Sequence, residues 1–232
     1  MKILRFEVKS TVAHFRRPDT TSTHATYPFM TRTALRGMLA AVMGWDFFEG
    51  ITWTGLELLT PPVSRVQQLS MLGKAFLDKS GSMFNRPTSI ELLINPHYRI
   101  YVAGQHTEAL AERLGANRSV YHTYLGCAYA LTVPYNVVLE QVPELTPSAD
   151  EIWYARTVLP VHVIAQLHVA EWKQYARVGG ITYEPLPGRR FRGSVSVLYE
   201  KTGGDIAFTP KLGRYEPPVS FTLWQGKVVA LW

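Results

Sequence analysis

The sequence predicts an α+β protein, a ferredoxin-like domain followed by a mostly β region, on three observations. Its first ten residues alternate apolar and charged side chains, as a half-buried strand does. Two stretches of helical periodicity then interleave with strand-like runs in the order strand, helix, strand, strand, helix, strand, which is the succession of a ferredoxin-like domain. Beyond the Pro-marked stretch "VPELTPSADE", the chain turns to β-branched and aromatic runs joined by Gly- and Pro-rich turns. A boundary near residue 147 gives a domain of residues 1–147 and a β-rich region of residues 148–232. With 232 residues, 47% hydrophobic and 18% charged, the chain is expected to bury a real core.

In "MKILRFEVKS", Ile3, Leu4, Phe6 and Val8 mix with Lys2, Arg5, Glu7 and Lys9, which is strand patterning and not the apolar run of a signal peptide. "TVAHFRRPDTTSTHATYPF" follows, too long and too rich in Thr and Pro for regular structure, so a functional loop is expected. The first helix starts at a threonine cap, Thr31 or Thr33, buries Leu35, Met38, Leu39 and Val42, and stops at Gly44. "ITWTGLELLTPP" reads as the second strand and "SIELLINPHYRIYVAG" as the third, bent at Asn95-Pro96. Between them, residues 64–90 form a projecting flap that mixes Arg65, Lys74, Lys79 and Arg86 with Met71, Phe76, Met83 and Phe84 and turns at Ser80-Gly81-Ser82. A second helix is expected from a Thr107 cap to Gly115. "CAYALTVPYNVVLEQV" supplies the next strand or two.

The formal net charge is +6 and the pI is near 9.4, so a polyanion is the natural partner. No apolar run is long enough to span a bilayer and no long basic amphipathic helix is present, which favours nucleic acid over a membrane. A single cysteine, Cys127, excludes an intrachain disulfide and a Cys-rich zinc site, and it suits a reducing, cytoplasmic setting.

The stretch 26–44 has a physical logic if the ligand is a phosphate chain. A helix start attracts anions. Arg32 and Arg36 would reinforce it, Arg16 and Arg17 would converge from the loop, and Tyr27 and Phe29 offer faces for unpaired bases. Gly37 would let a backbone approach. The bland alternative is that Phe29 and Met30 staple the helix to the sheet and Gly37 only permits tight packing. His97, Arg99 and Tyr101 alternate on the third strand, as on an RNA-binding sheet face. In "LPGRRFRGSV", Arg189, Arg190 and Arg192 surround Phe191, either a contacting hairpin tip or a solvated turn. His162, His168 and Glu171 match no zinc pattern, so no metal site and no cofactor are expected.

Together, "FRRPDTTSTHATYPFMTRTALRGMLAAVMG", the basic insert and "LLINPHYRIYVAG" resemble the CRISPR-associated family-5 proteins of the RAMP superfamily, over residues 1 to about 140. The resemblance rests on Arg17-Pro18, Tyr27-Pro28, the helix Leu35 to Leu39 and Gly44. It implies an RRM-related core that holds the 5′ handle of a CRISPR RNA and caps a type I Cascade in antiviral defence. Arg16, Arg17, Thr31, Arg32 and Arg36 would then belong to the handle-gripping loop and helix. Residues 64–90 would be a thumb against the backbone subunit, with Arg65, Lys74 and Arg86 on it. The implied partners are the CRISPR RNA handle, the backbone subunit and the large subunit, with target DNA near the protospacer-adjacent motif as a further candidate. Subtype I-B is the nearest in character. Subtype I-C members also cut precursor RNA without metal, using an adjacent Lys-His pair and a tyrosine. No Lys-His pair occurs here, so the expectation is a non-catalytic subunit. The alternative is a metal-independent endoribonuclease built on His14, His24 and Tyr27.

Overall fold

The alternation of the first strand is realised in a computed structural model that describes residues 1–50, 52–74, 83–148, 151–186, 188 and 190–232. In chain order, β1 (Lys2–Lys9) is followed by two short strands, β2 (Val12–Ala13) and β3 (Thr23–His24), and by helix α1 (Arg32–Met43). Next come β4 (Thr52–Leu58), the long strands β5 (Val63–Lys74) and β6 (Met83–Ile94), β7 (His97–Gly104) and α2 (Thr107–Gly115). After β8 (Tyr135–Gln141) and β9 (Glu144–Leu145), the chain forms β10 (Trp153–Ala155), β11 (Leu159–Pro160) and β12 (Ile164–His168). It ends with β13 (Tyr175–Leu186), β14 (Arg190–Glu200), β15 (Ile206–Pro210), β16 (Ser220–Trp224) and β17 (Lys227–Leu231). Most of the ordered chain is therefore β, with two α-helices among the described residues.

β1, β4, β7 and β8 make one antiparallel sheet in the order β4-β7-β1-β8, with α1 and α2 as the connections between β1 and β4 and between β7 and β8. Side chains alternate across a strand. Leu4, Phe6 and Val8 of β1, Leu56 and Leu58 of β4, and Tyr98, Ile100 and Val102 of β7 thus share one face, buried with Leu35, Met38, Leu39 and Val42 of α1 and Leu110 and Leu114 of α2. Thr31 caps α1, its Oγ1 accepting from the Ala34 amide at 3.3 Å, and Gly44 closes it with φ +78°, its N–H donating to the Ala40 carbonyl. On α2 the cap position falls to His106, while Thr107 is the first helical residue and donates its hydroxyl to the Gly104 carbonyl.

The opposite face of that sheet is not open. Ile3, Tyr101 and Ala103 pack against Trp224, Val229 and Leu231 of the C-terminal sheet. β17 passes so close that a Cβ on Gly55 would lie 2.9 Å from the Ala230 carbonyl, so glycine is required there. Buried charge ties neighbouring strands of the central sheet together. Arg99 donates to Glu7 at 2.9 Å and to Glu57 at 3.2 Å, and Tyr101 Oη donates to Glu57 at 2.8 Å. Burial alone would raise the Glu7 carboxyl, but hydrogen bonds from Arg99 and His97 outweigh it and hold that group below the ordinary carboxylate value. The RNA-binding face suggested by the alternation of His97, Arg99 and Tyr101 is corrected on this point: their polar atoms serve the fold, and the C-terminal strands lie over Tyr101.

Those strands form a six-stranded sheet, β12-β15-β10-β17-β16-β9, and a three-stranded one, β11-β14-β13. Ile181, Val195, Val197 and Tyr199 of the latter enter the same core as α1, so residues beyond 147 complete the hydrophobic interior begun by β1. The bend expected at Asn95-Pro96 is a turn between two sheets, with Asn95 at φ +48°: β6 leaves with β5, and β7 enters the central sheet. Of "CAYALTVPYNVVLEQV", only residues from Tyr135 onward become strand.

Candidate nucleic-acid interface

The polar stretch after β1 is more regular than its composition suggests. β2 runs antiparallel to β6 at Ile94 and Leu93, and β3 runs parallel to it at Ser89 and Ile90. The chain between them doubles back, with Arg17 N donating to Ala25 O at 2.9 Å and Tyr27 N to Phe15 O at 2.8 Å. Glu91 pins the loop to the hairpin, its carboxylate accepting from the Thr26 amide at 3.0 Å and from Ser64 Oγ at 2.6 Å.

β5 and β6 pair over their full length, from Val63 opposite Ile94 to Lys74 opposite Met83. Twelve residues at about 3.3 Å each make an arm of roughly 40 Å. Its base is buried through Ile90, Leu92 and Leu93, while Leu72, Met83 and Phe84 farther out are exposed. Arg65 and Arg86 are exposed on this arm, and the register puts them on one face. Lys74 marks its distal described end. Lys79, Phe76 and the turn at Ser80-Gly81-Ser82 lie outside the described residues.

At the junction of loop and arm, the His14 and His24 rings stack with centroids 6.4 Å apart. His14 is 8% exposed, with Nδ1 2.8 Å from the Glu91 carbonyl, and its buried Nε2 has no partner. Burial first, and then the charges of Arg16, His14 and Arg86, hold His24 below the ordinary imidazole value. Arg16 and Arg86 therefore bring positive charge to a partly buried imidazole. Arg16 and Arg17 are exposed beside it; Arg17 pairs with Asp19 at 2.8 Å and lies 5.9 Å from the Tyr27 ring centroid.

The remaining expected ligands sit elsewhere. Arg32 is 7% exposed and engages every guanidinium nitrogen, Nε donating to Tyr183 O at 3.0 Å, Nη1 to Thr54 Oγ1 at 3.0 Å and Trp232 O at 2.7 Å, and Nη2 to Thr52 O at 3.1 Å. Its burial pulls the guanidinium down to about 10, so it stays charged at neutral pH and acts as an internal clamp. Arg36 is 5% exposed and donates to the Phe48 carbonyl. Thr31 is buried at the cap. The helix start is thus closed over by β4 and β13, which corrects its expected role as a phosphate cradle for Thr31, Arg32 and Arg36. Tyr27 is buried and donates its hydroxyl to Gly180 O at 3.0 Å, and Phe29 is buried against Tyr199 with ring centroids 5.2 Å apart. Both rings anchor the loop to β13 and β14 and offer no face for a base. Gly37 is exposed, and a Cβ there would meet nothing within 4 Å, so tight packing is not its reason.

At the β13–β14 tip Phe191 is 59% exposed, Arg192 pairs with Glu184 and Arg189 lies outside the described residues. His162 meets the Pro217 carbonyl and His168 meets Thr209 Oγ1; among the described residues no three His, Cys, Asp or Glu are grouped to hold a metal ion. Among them, too, no helix is long and apolar enough to cross a membrane.

Comparison with known proteins places this geometry. The family model described as "CRISPR-associated protein (Cas_Cas5)" matches residues 3–128. No curated protein matches. Among solved structures, the chain resembles one titled "CRISPR RNA-guided surveillance complex", at 15% identity and a TM-score of 0.56, covering 88% of this chain and 91% of that one. It also resembles a CRISPR protein from Archaeoglobus fulgidus, at 11% identity and a TM-score of 0.59, covering 99% of each chain. These likenesses show a shared fold.

Proposed function

The chain belongs to the CRISPR-associated Cas5 family, and from that premise we propose that it is a non-catalytic subunit of a type I Cascade that binds the 5′ handle of the CRISPR RNA and caps the backbone of the complex. Its central sheet, with strand order β4-β7-β1-β8 and two helices on one face, is the ferredoxin-like core of that assignment. The observation that carries it is the stacked His14–His24 pair with the exposed Arg16 and Arg86 close enough for their charge to act on His24, and with the exposed Arg17 next to Arg16 on the same loop. Exposed guanidinium groups grip phosphates bidentately, and a polyanion releases counterions on binding them. The arm of β5 and β6 is the thumb: Leu72 and Met83 on one face and Phe84 on the other, exposed by 72%, 63% and 47%, give its distal described part an apolar surface suited to the neighbouring backbone subunit. Contacts with the large subunit and subtype I-B character complete the assignment.

Labelled CRISPR repeat RNA, incubated with the protein in EDTA across a salt series, tests this by filter retention and a denaturing gel. Salt-sensitive retention that prefers the repeat over a scrambled RNA, with the RNA intact, is the expected result. A discrete cut that disappears in His24→Ala would replace the non-catalytic role with that of a metal-independent endoribonuclease. That second possibility has one specific support, the stacked histidines beside two arginines, which are acid-base and charge-stabilising groups within one site.

A further inference from the structure

Away from the basic junction, α1, the segments 47–50 and 52–53, strands β13 and β14 and the segment 216–218 line an open cleft of about 950 Å³. That is within the range of small-molecule sites. Arg32 and Arg36 line it, and each guanidinium stands near an aromatic ring, Arg32 at 4.8 Å from the Tyr183 centroid and Arg36 at 5.9 Å from that of Phe47. Arg36 is 5% exposed and its buried Nε has no hydrogen-bond partner. A buried donor on a charged group seeks an acceptor, and its own chain supplies none.

The charges on the lining balance. Arg32, Arg36 and Arg192 face Glu49, Glu184 and Glu216, and Arg192 is already paired with Glu184. A phosphate would meet the exposed carboxylates of Glu49 and Glu216 and gain no net attraction. A flat, neutral ring with acceptors on one edge and amino donors on another fits instead. Nucleobases have that chemistry: guanidinium groups pair with the acceptors of purine N7 and guanine O6, carboxylates accept from exocyclic amines, and aromatic side chains stack on the base.

We propose that this cleft seats one unpaired purine base between the Phe47 and Tyr183 rings, with its ring acceptors toward Arg36 and its amino edge toward Glu49 and Glu216. The base belongs to bound RNA, where the assignment rests on the RNA-binding role proposed above, or to a free nucleoside. In both cases the attached phosphates stay outside the carboxylate-lined mouth.

The test is an abasic scan of the repeat RNA against wild type, Phe47→Ala and Glu216→Gln. Removing one particular purine is expected to weaken wild-type binding by at least about fivefold, the lower end of the loss of a base–aromatic stack. The same removal should cost less than about twofold in Phe47→Ala. Glu216→Gln, at an exposed position that leaves the core untouched, should lower the penalty as well. If RNA binds with salt sensitivity but no single purine matters by more than about twofold, the cleft assignment is overturned and the RNA-binding role survives. If RNA does not bind at all, that role fails, and titration with guanosine and adenosine decides the cleft separately: saturable binding lost in Phe47→Ala upholds it, and no binding at millimolar nucleoside overturns it.

Discussion

Arg32 and Arg86 carry the same group to opposite uses. Arg32 opens a helix, is 7% exposed and spends its guanidinium on three backbone carbonyls and a threonine; Arg86 stands exposed on the arm beside a stacked histidine pair. The difference lies in what surrounds each one. Strand β13 and the segment ending at Trp232 bring carbonyls to Arg32 from 151 and 200 residues away in the chain, whereas Arg86 stands opposite Met71 on the arm with its side chain exposed. Position on a basic stretch therefore says little about whether an arginine meets a ligand. Acceptors supplied by distant strands decide it.

The contrast is broken most violently at Arg32. Arg32→Ala leaves the carbonyls of Thr52, Tyr183 and Trp232 without their charged donor inside the fold, and urea unfolding should show a loss of about 3–5 kcal/mol. Arg16→Ala combined with Arg86→Ala should behave inversely, leaving stability within about 0.5 kcal/mol of wild type while weakening RNA binding by roughly ten- to a hundredfold. Stability unchanged in the first variant would remove the clamp from the account, and affinity unchanged in the second would remove the phosphate site.

Tyr27 sharpens the same division on a smaller scale. Its hydroxyl holds the loop to Gly180, so Tyr27→Phe should cost about 1 kcal/mol in thermal or urea unfolding and leave RNA affinity unaltered. A drop in affinity without loss of stability would restore it as a base-stacking residue. The smallest effect expected is a pH slope at His24. Its folded value is lowered by burial and by Arg16, His14 and Arg86, so the unfolded chain takes up a proton that the fold resists. The contribution of this group is fully present above the ordinary imidazole value of about 6.5 and is lost as pH falls through that value toward the folded one. His24→Gln should flatten the fall in urea midpoint between pH 7.5 and 5.5; an identical slope in both proteins would contradict the stated environment.

Much of the fold is legible in the sequence because its signals are local. The alternation in residues 2–9, the Thr31 cap, the αL stop at Gly44 and the order of strands and helices all depend on near neighbours. The arm is legible too, from a long insert between two strands. Tyr27 and Arg32 are misplaced by the same local reasoning, since their partners Gly180 and Tyr183 lie on β13, whose packing against α1 no periodicity reveals, while Phe29, packed on Tyr199, takes the anchoring role that is the alternative to base stacking. Arg16, Arg17, Arg65 and Arg86 are exposed, which suits contact with a phosphate chain. The cleft walls, Phe47 and Tyr183, are not legible because their only signal is aromatic residues beside glutamates, a common surface pattern. Glu91 was hidden for a different reason: a carboxylate on an apolar strand shows its purpose only when a loop amide and a serine reach it.

In the proposed role, the exposed arginines at the loop–arm junction, and not those of α1, meet the RNA backbone. The salt dependence of repeat-RNA affinity, measured for wild type and for the Arg16→Ala/Arg86→Ala variant, tests it most directly. Each phosphate contact on a single strand contributes about 0.7 to the slope of log K against log salt. A variant slope shallower by about 1.4 is the predicted result, and an unchanged slope would contradict the account.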